Sequence, residues 1–217
     1  MEPLECMQRR HSVRQYTDQP IEPEKRAALD ALVADCNTKY GLHLQIFYDE
    51  PKCFDSFMAH YGKFSGVRNY IALVGPKGAD LDEKLGYAGE QLVLLAQSLG
   101  LNTCWVAMTH GKSSAQIQKG EKQVCLIPVG YGCTAGVPHK SKPLSAVIAG
   151  QTDRPAWFVY GVEAALLAPT AMNQQKFCFS LLPDGRVQAT AGKGFYTKVD
   201  LGIVKYHFET VTGKACL

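Results

Sequence analysis

The sequence predicts an α+β fold: one domain over residues 1–217, built from two similar halves of about 1–142 and 143–217. Three observations lead there. Stretches with helical spacing of apolar residues alternate with short runs of strand character. Their order (helix, strand, strand, helix, then glycine) occurs twice, and Gly89–Gly100 and Gly202–Gly213 share a spacing of eleven residues. The composition, 46% hydrophobic and 20% charged, is that of an ordered globular protein, and 217 residues suffice for one sizeable core or two small packed halves. Identity between the halves is low, so the repeat reads either as chance similarity of two α+β units or as a fused pseudo-dimer.

Residues 23–37 read as a helix, with Pro23 in its first turn and Leu29, Leu32, Val33 and Cys36 on one face. Leu42, Leu44, Ile46 and Tyr48 alternate with other residues and predict a strand over 42–48. The apolar run 70–75, closed by Gly75-Pro76, predicts a buried strand. Residues 80–99 form the longest helical segment, with Leu81, Leu85, Leu92, Leu95 and Leu99 as its stripe. Gly86 and Gly89 each lower its intrinsic helicity by about 1 kcal/mol against alanine. Glycines on one helical face mark a close crossing with another helix, and Gly100 supplies the cap. Residues 124–131 predict another apolar strand, followed by a polar loop that contains His139-Lys140-Ser141-Lys142. Residues 143–155, with Pro143, Gly150 and Pro155, read as a connection. Residues 157–168 read as a helix ended by Pro169. Phe177, Phe179 and Leu181 alternate as a strand, Pro183-Asp184-Gly185 is a turn, and 186–190 is its partner strand. Residues 200–212 form the last helix, capped by Gly213.

A net charge of +3, with scattered lysines and arginines, gives no footprint for nucleic acid. No apolar run approaches the roughly 20 residues of a membrane span. The start, Met1-Glu2-Pro3-Leu4-Glu5, is acidic and lacks the apolar segment of a signal peptide. Eight cysteines form no Cys-x-x-Cys pair, and neither they nor the histidines show ligand spacing. The expectation is a cytoplasmic protein with reduced thiols, no metal and no membrane partner. A Gly-x-Ser-x-Gly elbow, a P-loop and a Gly-x-Gly-x-x-Gly fingerprint are absent.

Two segments carry the chemistry. Arg9-Arg10-His11-Ser12-Val13-Arg14 supplies two or three cations and a hydroxyl, a set suited to phosphate. Alone, it also suits a solvated basic stretch before a helix, and Arg9 is the cation most readily left to solvent. Ala168-Pro169-Thr170-Ala171-Met172-Asn173-Gln174-Gln175 offers a tight turn, a hydroxyl and three amides, suited to the edge of a flat polar heterocycle. Alone, it also suits a polar loop in which Asn173 makes a local cap. Together they suggest one phosphorylated aromatic cofactor held from both ends of the chain.

At this point the residues resemble the FMN-dependent nitroreductase family, and within it the single-chain subgroup with two related halves. Residues 9–14 resemble the family's Arg-Arg-x-Ser-x-Arg. Residues 89–105 resemble its long interface helix and following loop. Pro128-Val129-Gly130-Tyr131 with Lys140-Ser141-Lys142 resembles its strand and basic phosphate loop. Residues 168–177 resemble its Ala-Pro-Ser-x-x-Asn-x-Gln-Pro-Trp turn, with Thr170 in place of the serine and Lys176-Phe177 in place of Pro-Trp. In ordinary members the turn follows the first helix, and flavin sites form between two subunits. Here Asp35-Cys36-Asn37-Thr38-Lys39 stands at that place, and the turn follows the second-half helix. The resemblance therefore implies a nitroreductase-like fold, a central and mainly antiparallel sheet flanked by helices in two pseudo-symmetric halves. It implies one complete FMN site per chain, in a protein able to act as a monomer, with further association open.

The site residues follow from the same resemblance. Arg10, Ser12 and Arg14, with Lys140, Ser141 and Lys142, are expected at the FMN phosphate. Pro169, Thr170, Ala171 and Asn173 are expected at the flavin ring and its edge, with Gln175 buttressing the turn. Trp105, Ala107 and Met108 are expected along the flavin face, where backbone N–H groups reach N5; core packing is the alternative for Trp105. Asn69 is expected at the flavin or ribityl chain, with a strand-start turn residue as the alternative. His11, His110 and His139 are not assigned as catalytic acids, and no catalytic side chain is required because the chemistry belongs to flavin N5. The implied function is a ping-pong oxidoreductase in which NAD(P)H reduces FMN and a small nitroaromatic or quinone-like acceptor reoxidises it. The alternatives are a flavin-binding protein without turnover, for storage or redox sensing, a degenerate scaffold that binds no flavin, or other flavin chemistry such as reductive dehalogenation or flavin breakdown.

Overall fold

The computed structural model describes residues 1–150 and 153–217. Residues 151 and 152, inside the connection expected over 143–155, lie outside the described residues. In chain order the elements are α1 (Pro3–Arg9), α2 (Pro23–Tyr40), β1 (Gln45–Phe47), α3 (Phe57–Tyr61), β2 (Tyr70–Pro76), α4 (Leu81–Ser98), β3 (Asn102–Thr103), β4 (Glu121–Gly130), β5 (Ile148–Ala149), α5 (Ala156–Ala165), β6 (Phe177–Leu181), β7 (Val187–Ala191) and α6 (Thr197–Thr212). They divide into two compact units.

One unit comprises Arg10–Leu81 and Leu92–Pro138. Its sheet is antiparallel, in the order β1-β2-β4-β3. β2 is buried from Tyr70 to Gly75, as its unbroken apolar run requires. Phe47 and Phe54 pack on the Tyr70 ring, and the Tyr70 hydroxyl accepts from the Ser114 N–H at 2.9 Å. The strand expected over 42–48 is shorter for a local reason. The Asn37 side chain takes both backbone groups of Leu44, accepting its N–H at 2.6 Å and donating to its carbonyl at 2.9 Å. Sheet pairing therefore begins only at Gln45.

The other unit comprises Met1–Arg9, Asp82–Gln91 and His139–Leu217. Its sheet runs β5-β6-β7, parallel between β5 and β6 and antiparallel between β6 and β7. Phe158, Phe179 and Phe208 form a buried aromatic stack behind it. Gly86 and Gly202 mark a close crossing of α4 and α6. A methyl group on Gly86 would sit 2.1 Å from the Val199 carbonyl oxygen, and one on Gly202 would sit 2.0 Å from the Glu83 carbonyl oxygen. Glu83–Lys205 at 2.6 Å and Tyr87–Glu209 at 2.8 Å flank this crossing. Gly100 and Gly213 take left-handed φ of 77° and 67°, the cap conformation their positions predict.

Two further expectations change. The strands form two sheets rather than one central sheet, because β6 pairs with β7 and β5 and none of these pairs with β1–β4. The helix expected over 157–168 ends at Ala165. Pro169 disfavours a helical residue before it, and the Leu166 carbonyl is taken by the His139 ring at 2.9 Å and the Ser141 hydroxyl at 3.2 Å.

Candidate functional site

The expected site residues fall into two clusters, one in each unit. In the unit that begins at Arg10, residues 12–17 run as an extended segment bonded along its length. Val13 N–H donates to the Thr103 carbonyl at 3.0 Å, Tyr16 N–H to Ser65 at 2.9 Å and Thr17 N–H to Tyr131 at 2.8 Å, while the Gln15 carbonyl accepts from Cys133. This threading brings Arg10, Ser12 and Arg14 together around the buried Cys104. Burial pushes the Cys104 thiol up, opposed by the charge of Arg14, a hydrogen bond with Ser12 and the charge of Arg10. Arg10 is only 4% exposed, whereas Arg14 is exposed and lies over the Phe64 ring at 5.9 Å. A guanidinium withdrawn from water, next to a second one and a hydroxyl, is a donor set that fits a phosphate dianion.

The segment after Cys104 follows the sheet. Val106 exchanges both backbone bonds with Leu126, at 2.9 and 2.8 Å. Ladder alternation then turns the N–H groups of Trp105 and Ala107 away from β4. Trp105 and Ala107 are half-buried and Met108 is 70% exposed. Asn69 is 6% exposed, and its amide holds the Asp49 N–H at 3.1 Å and the Val129 carbonyl at 3.3 Å. In this structure it pins the strand start.

In the other unit, residues 168–175 form the turn. Thr170 is extended, Ala171–Asn173 make one 3-10 turn, and Met172, Asn173 and Gln175 all have left-handed φ, at 50°, 53° and 43°. Each such conformation is unfavourable for a residue with a Cβ and persists where the surroundings over-determine it. Gln175, 3% exposed, is one determinant. Its amide donates to the Lys140 carbonyl at 2.8 Å and the Asn173 side chain at 2.7 Å and accepts from Lys142 N–H at 2.8 Å, while its own N–H donates to Thr170 Oγ at 3.0 Å. Asn173 also donates to the Lys140 carbonyl, at 3.0 Å. The structure thus joins loop 139–142 to the turn. The Lys142 ammonium is used for that purpose, donating to the carbonyls of Gln174 and Gln175 at 2.8 and 3.2 Å. Lys140 and Ser141 are exposed, and Pro169, Thr170 and Ala171 half-buried.

One residue of this cluster escaped the sequence reading. Asp200, expected only as the start of the last helix, lies in its first turn and is 3% exposed. One carboxylate oxygen accepts from Ala171 N–H at 2.9 Å and the other from the Gln174 amide at 2.7 Å, and that amide also donates to the Phe195 carbonyl at 2.8 Å. Burial pushes the Asp200 carboxyl up to about 6, against both hydrogen bonds. Among the described residues no cluster of histidine, cysteine and carboxylate side chains fits a metal, and no helix is long and apolar enough to cross a membrane.

Comparison with known proteins adds to this geometry. A family model described as "Putative TM nitroreductase" matches residues 2–212. No curated protein matches the sequence. Among solved structures, a putative nitroreductase from Thermotoga maritima superposes with a TM-score of 0.73 at 25% identity, over 97% of this chain and 83% of its own. A putative NADH dehydrogenase/NAD(P)H nitroreductase from Bacteroides thetaiotaomicron gives 0.53 at 21% identity, over 69% and 97%. A putative nitroreductase in complex with FMN from Desulfovibrio desulfuricans gives 0.53 at 18% identity, over 70% and 96%. The last two likenesses concern the fold alone.

Proposed function

The chain belongs to that TM nitroreductase family and shares its α+β fold, and on this premise we propose that it is an FMN-dependent oxidoreductase acting on electron-poor aromatic acceptors. Bound FMN would supply hydride chemistry at N5, taking the hydride from NAD(P)H and passing it to a nitroaromatic or quinone-like compound. The chain's own residues bind and orient. Arg10, Ser12 and Arg14 take the phosphate, with Lys140, Ser141 and Lys142 beside them as the further basic loop. Pro169, Thr170, Ala171 and Asn173 meet the ring edge. Lys142 and Gln175 hold that turn in shape, and Trp105, Ala107 and Met108 offer backbone and side-chain surface to the ring. Asn69, whose amide also pins the strand start, faces the flavin or ribityl chain.

The observation that carries this reading is the burial of Arg10 beside Ser12 and Arg14, in a segment fixed by backbone bonds on both sides. Keeping a cation out of water favours a permanent anion near it. The Desulfovibrio desulfuricans protein, which shares the fold, is itself in complex with FMN.

The test is an absorbance scan of the purified protein followed by anaerobic stopped flow. The two visible bands of oxidised flavin, bleached by NADH or NADPH and restored by a nitroaromatic or quinone, are expected. A yellow protein that neither nicotinamide bleaches would be a flavin store or sensor. A colourless protein whose melting temperature ignores added FMN would end the reading.

A further inference from the structure

We propose that Asp200 is the positioning residue of the turn at 168–175: its buried carboxylate fixes the Ala171 backbone and the Gln174 amide, and so sets the geometry in which Pro169, Thr170, Ala171 and Asn173 meet the flavin. The inference rests on the FMN reading above.

The turn contains three non-glycine residues in the left-handed region within four positions, so its shape depends on anchors outside itself. Loop 139–142 provides anchors at Asn173, Gln174 and Gln175, through Lys140 and Lys142. Those contacts reach the second half of the turn, whereas at its start Thr170 and Ala171 are bonded from within the turn, by the N–H groups of Gln175, Asn173 and Gln174. Asp200 adds an anchor from outside the turn, at the Ala171 N–H and at the Gln174 side chain. Its placement suits that purpose and little else. It sits in the first turn of α6, yet neither oxygen caps that helix; both accept from the turn 26 and 29 residues earlier. A carboxylate with two donors aimed at it is matched to its ionised form.

The groups acting on its ionisation are uncharged: burial disfavours the anion, and the Ala171 N–H and Gln174 amide favour it. The neighbouring loop contributes two more neutral groups. The Tyr196 carbonyl accepts the Asp200 N–H, and the Phe195 carbonyl shares the Gln174 amide. When the carboxyl is protonated, its hydrogen competes with one of the two incoming donors, and the turn loses part of its anchor. FMN affinity should therefore depend on Asp200 ionisation.

The experiment measures FMN dissociation constants by flavin fluorescence for wild type, Asp200→Asn and Val204→Ala, the last a buried α6 position outside the site that controls for destabilisation. At about pH 7.5, Asp200→Asn is expected to bind FMN about tenfold more weakly than wild type, because its amide nitrogen faces one of the two donors. At about pH 5 the ratio should narrow to about twofold or less, since wild type has lost the anion. Ionisation of the FMN phosphate is common to both proteins and cancels in the ratio. Val204→Ala should lower the melting temperature and leave affinity unchanged. A ratio that stays the same at both pH values, or an equal loss in Val204→Ala, overturns the inference while FMN binding stands. Wild type that takes up no FMN at either pH overturns the FMN reading and the inference together.

Discussion

His207 Nε2 lies 2.9 Å from Glu90 Oε1, and both side chains are wholly withdrawn from solvent. The other ring nitrogen, Nδ1, lies 3.0 Å from the Ala164 carbonyl. A carbonyl only accepts, so Nδ1 carries a hydrogen. The contact with Glu90 then needs one proton, held by either partner. The pair ties α4, α5 and α6 together within one unit and is neutral as a whole.

His207→Ala should therefore be far more damaging than Glu90→Gln. Removing the imidazole takes away the proton-sharing partner of a buried carboxyl and is expected to lower stability by about 3–5 kcal/mol. The glutamine amide can donate to Nε2 and keeps the bond, so its loss should be a small fraction of that. Urea unfolding of both variants checks this, and equal midpoints would refute the shared proton.

Gly86→Ala and Gly202→Ala test the helix crossing. Alanine gains about 1 kcal/mol in helix propensity, but each new methyl meets a backbone carbonyl oxygen near 2 Å, which no rotamer change relieves. Separation of the helices wins, and a net loss of about 1–3 kcal/mol is expected for each. Gly100→Ala meets no atom within 4 Å and suffers only from its φ of 77°, so it should cost less than either. Thermal melts that rank Gly100→Ala as the worst of the three would remove the crossing from the account.

The stability of the apo protein should carry a signature of Asp200. Its folded pKa is raised to about 6 from an ordinary value of 3.8. The folded state thus binds this proton more tightly than the unfolded chain does. The resulting stabilisation is complete below about pH 4, is lost as pH rises to about 6, and stays lost above, with a total of about 3 kcal/mol. Asp200→Asn lacks that loss. The difference in unfolding free energy between variant and wild type should therefore move in the variant's favour by about that amount between pH 4 and 7. A difference that is flat with pH contradicts the assignment.

The thiols should react in a fixed order. All eight are free, and Cys133 is exposed. Burial pushes Cys36 up to about 11 and Cys53 up to about 12, and raises Cys6 and Cys104 as well. An aromatic disulfide reagent added to native protein should give one fast phase, abolished by Cys133→Ser, with the buried thiols released only on unfolding. Fast labelling of Cys53 in native protein would contradict its environment.

What was legible in the sequence had local causes. The apolar stripe of α4, the caps at Gly100 and Gly213, and the β6–β7 hairpin around Gly185 all follow from residues within a few positions of each other. Helix α1 was overlooked, although Pro3 at its start and the Glu5–Arg9 pair are local signals. The division of strands into two sheets was not legible, because it depends on which distant strands pair. Asp200 reads as a helix start, since an acid in a first turn is normally explained by the helix itself. Its partners lie 26 and 29 residues earlier and leave no pattern in spacing. The motif residues were easier to find than their anchors. Arg10, Ser12 and Arg14 do gather in one place, as do loop 139–142 and the turn, and the exposed Lys142 ammonium also holds the turn, a contact that spacing along the chain does not show.

The two compact units are interleaved along the polypeptide, with the chain passing from one to the other at Arg9–Arg10, Leu81–Asp82, Gln91–Leu92 and Pro138–His139. Neither unit is therefore a continuous piece of the gene. A fragment cut at residue 143 would carry Gly202 and His207 but lack Gly86 and Glu90, their counterparts on α4. Dissection by truncation is closed for this architecture. A permuted or split version has to keep the 82–91 stretch in company with the C-terminal helix.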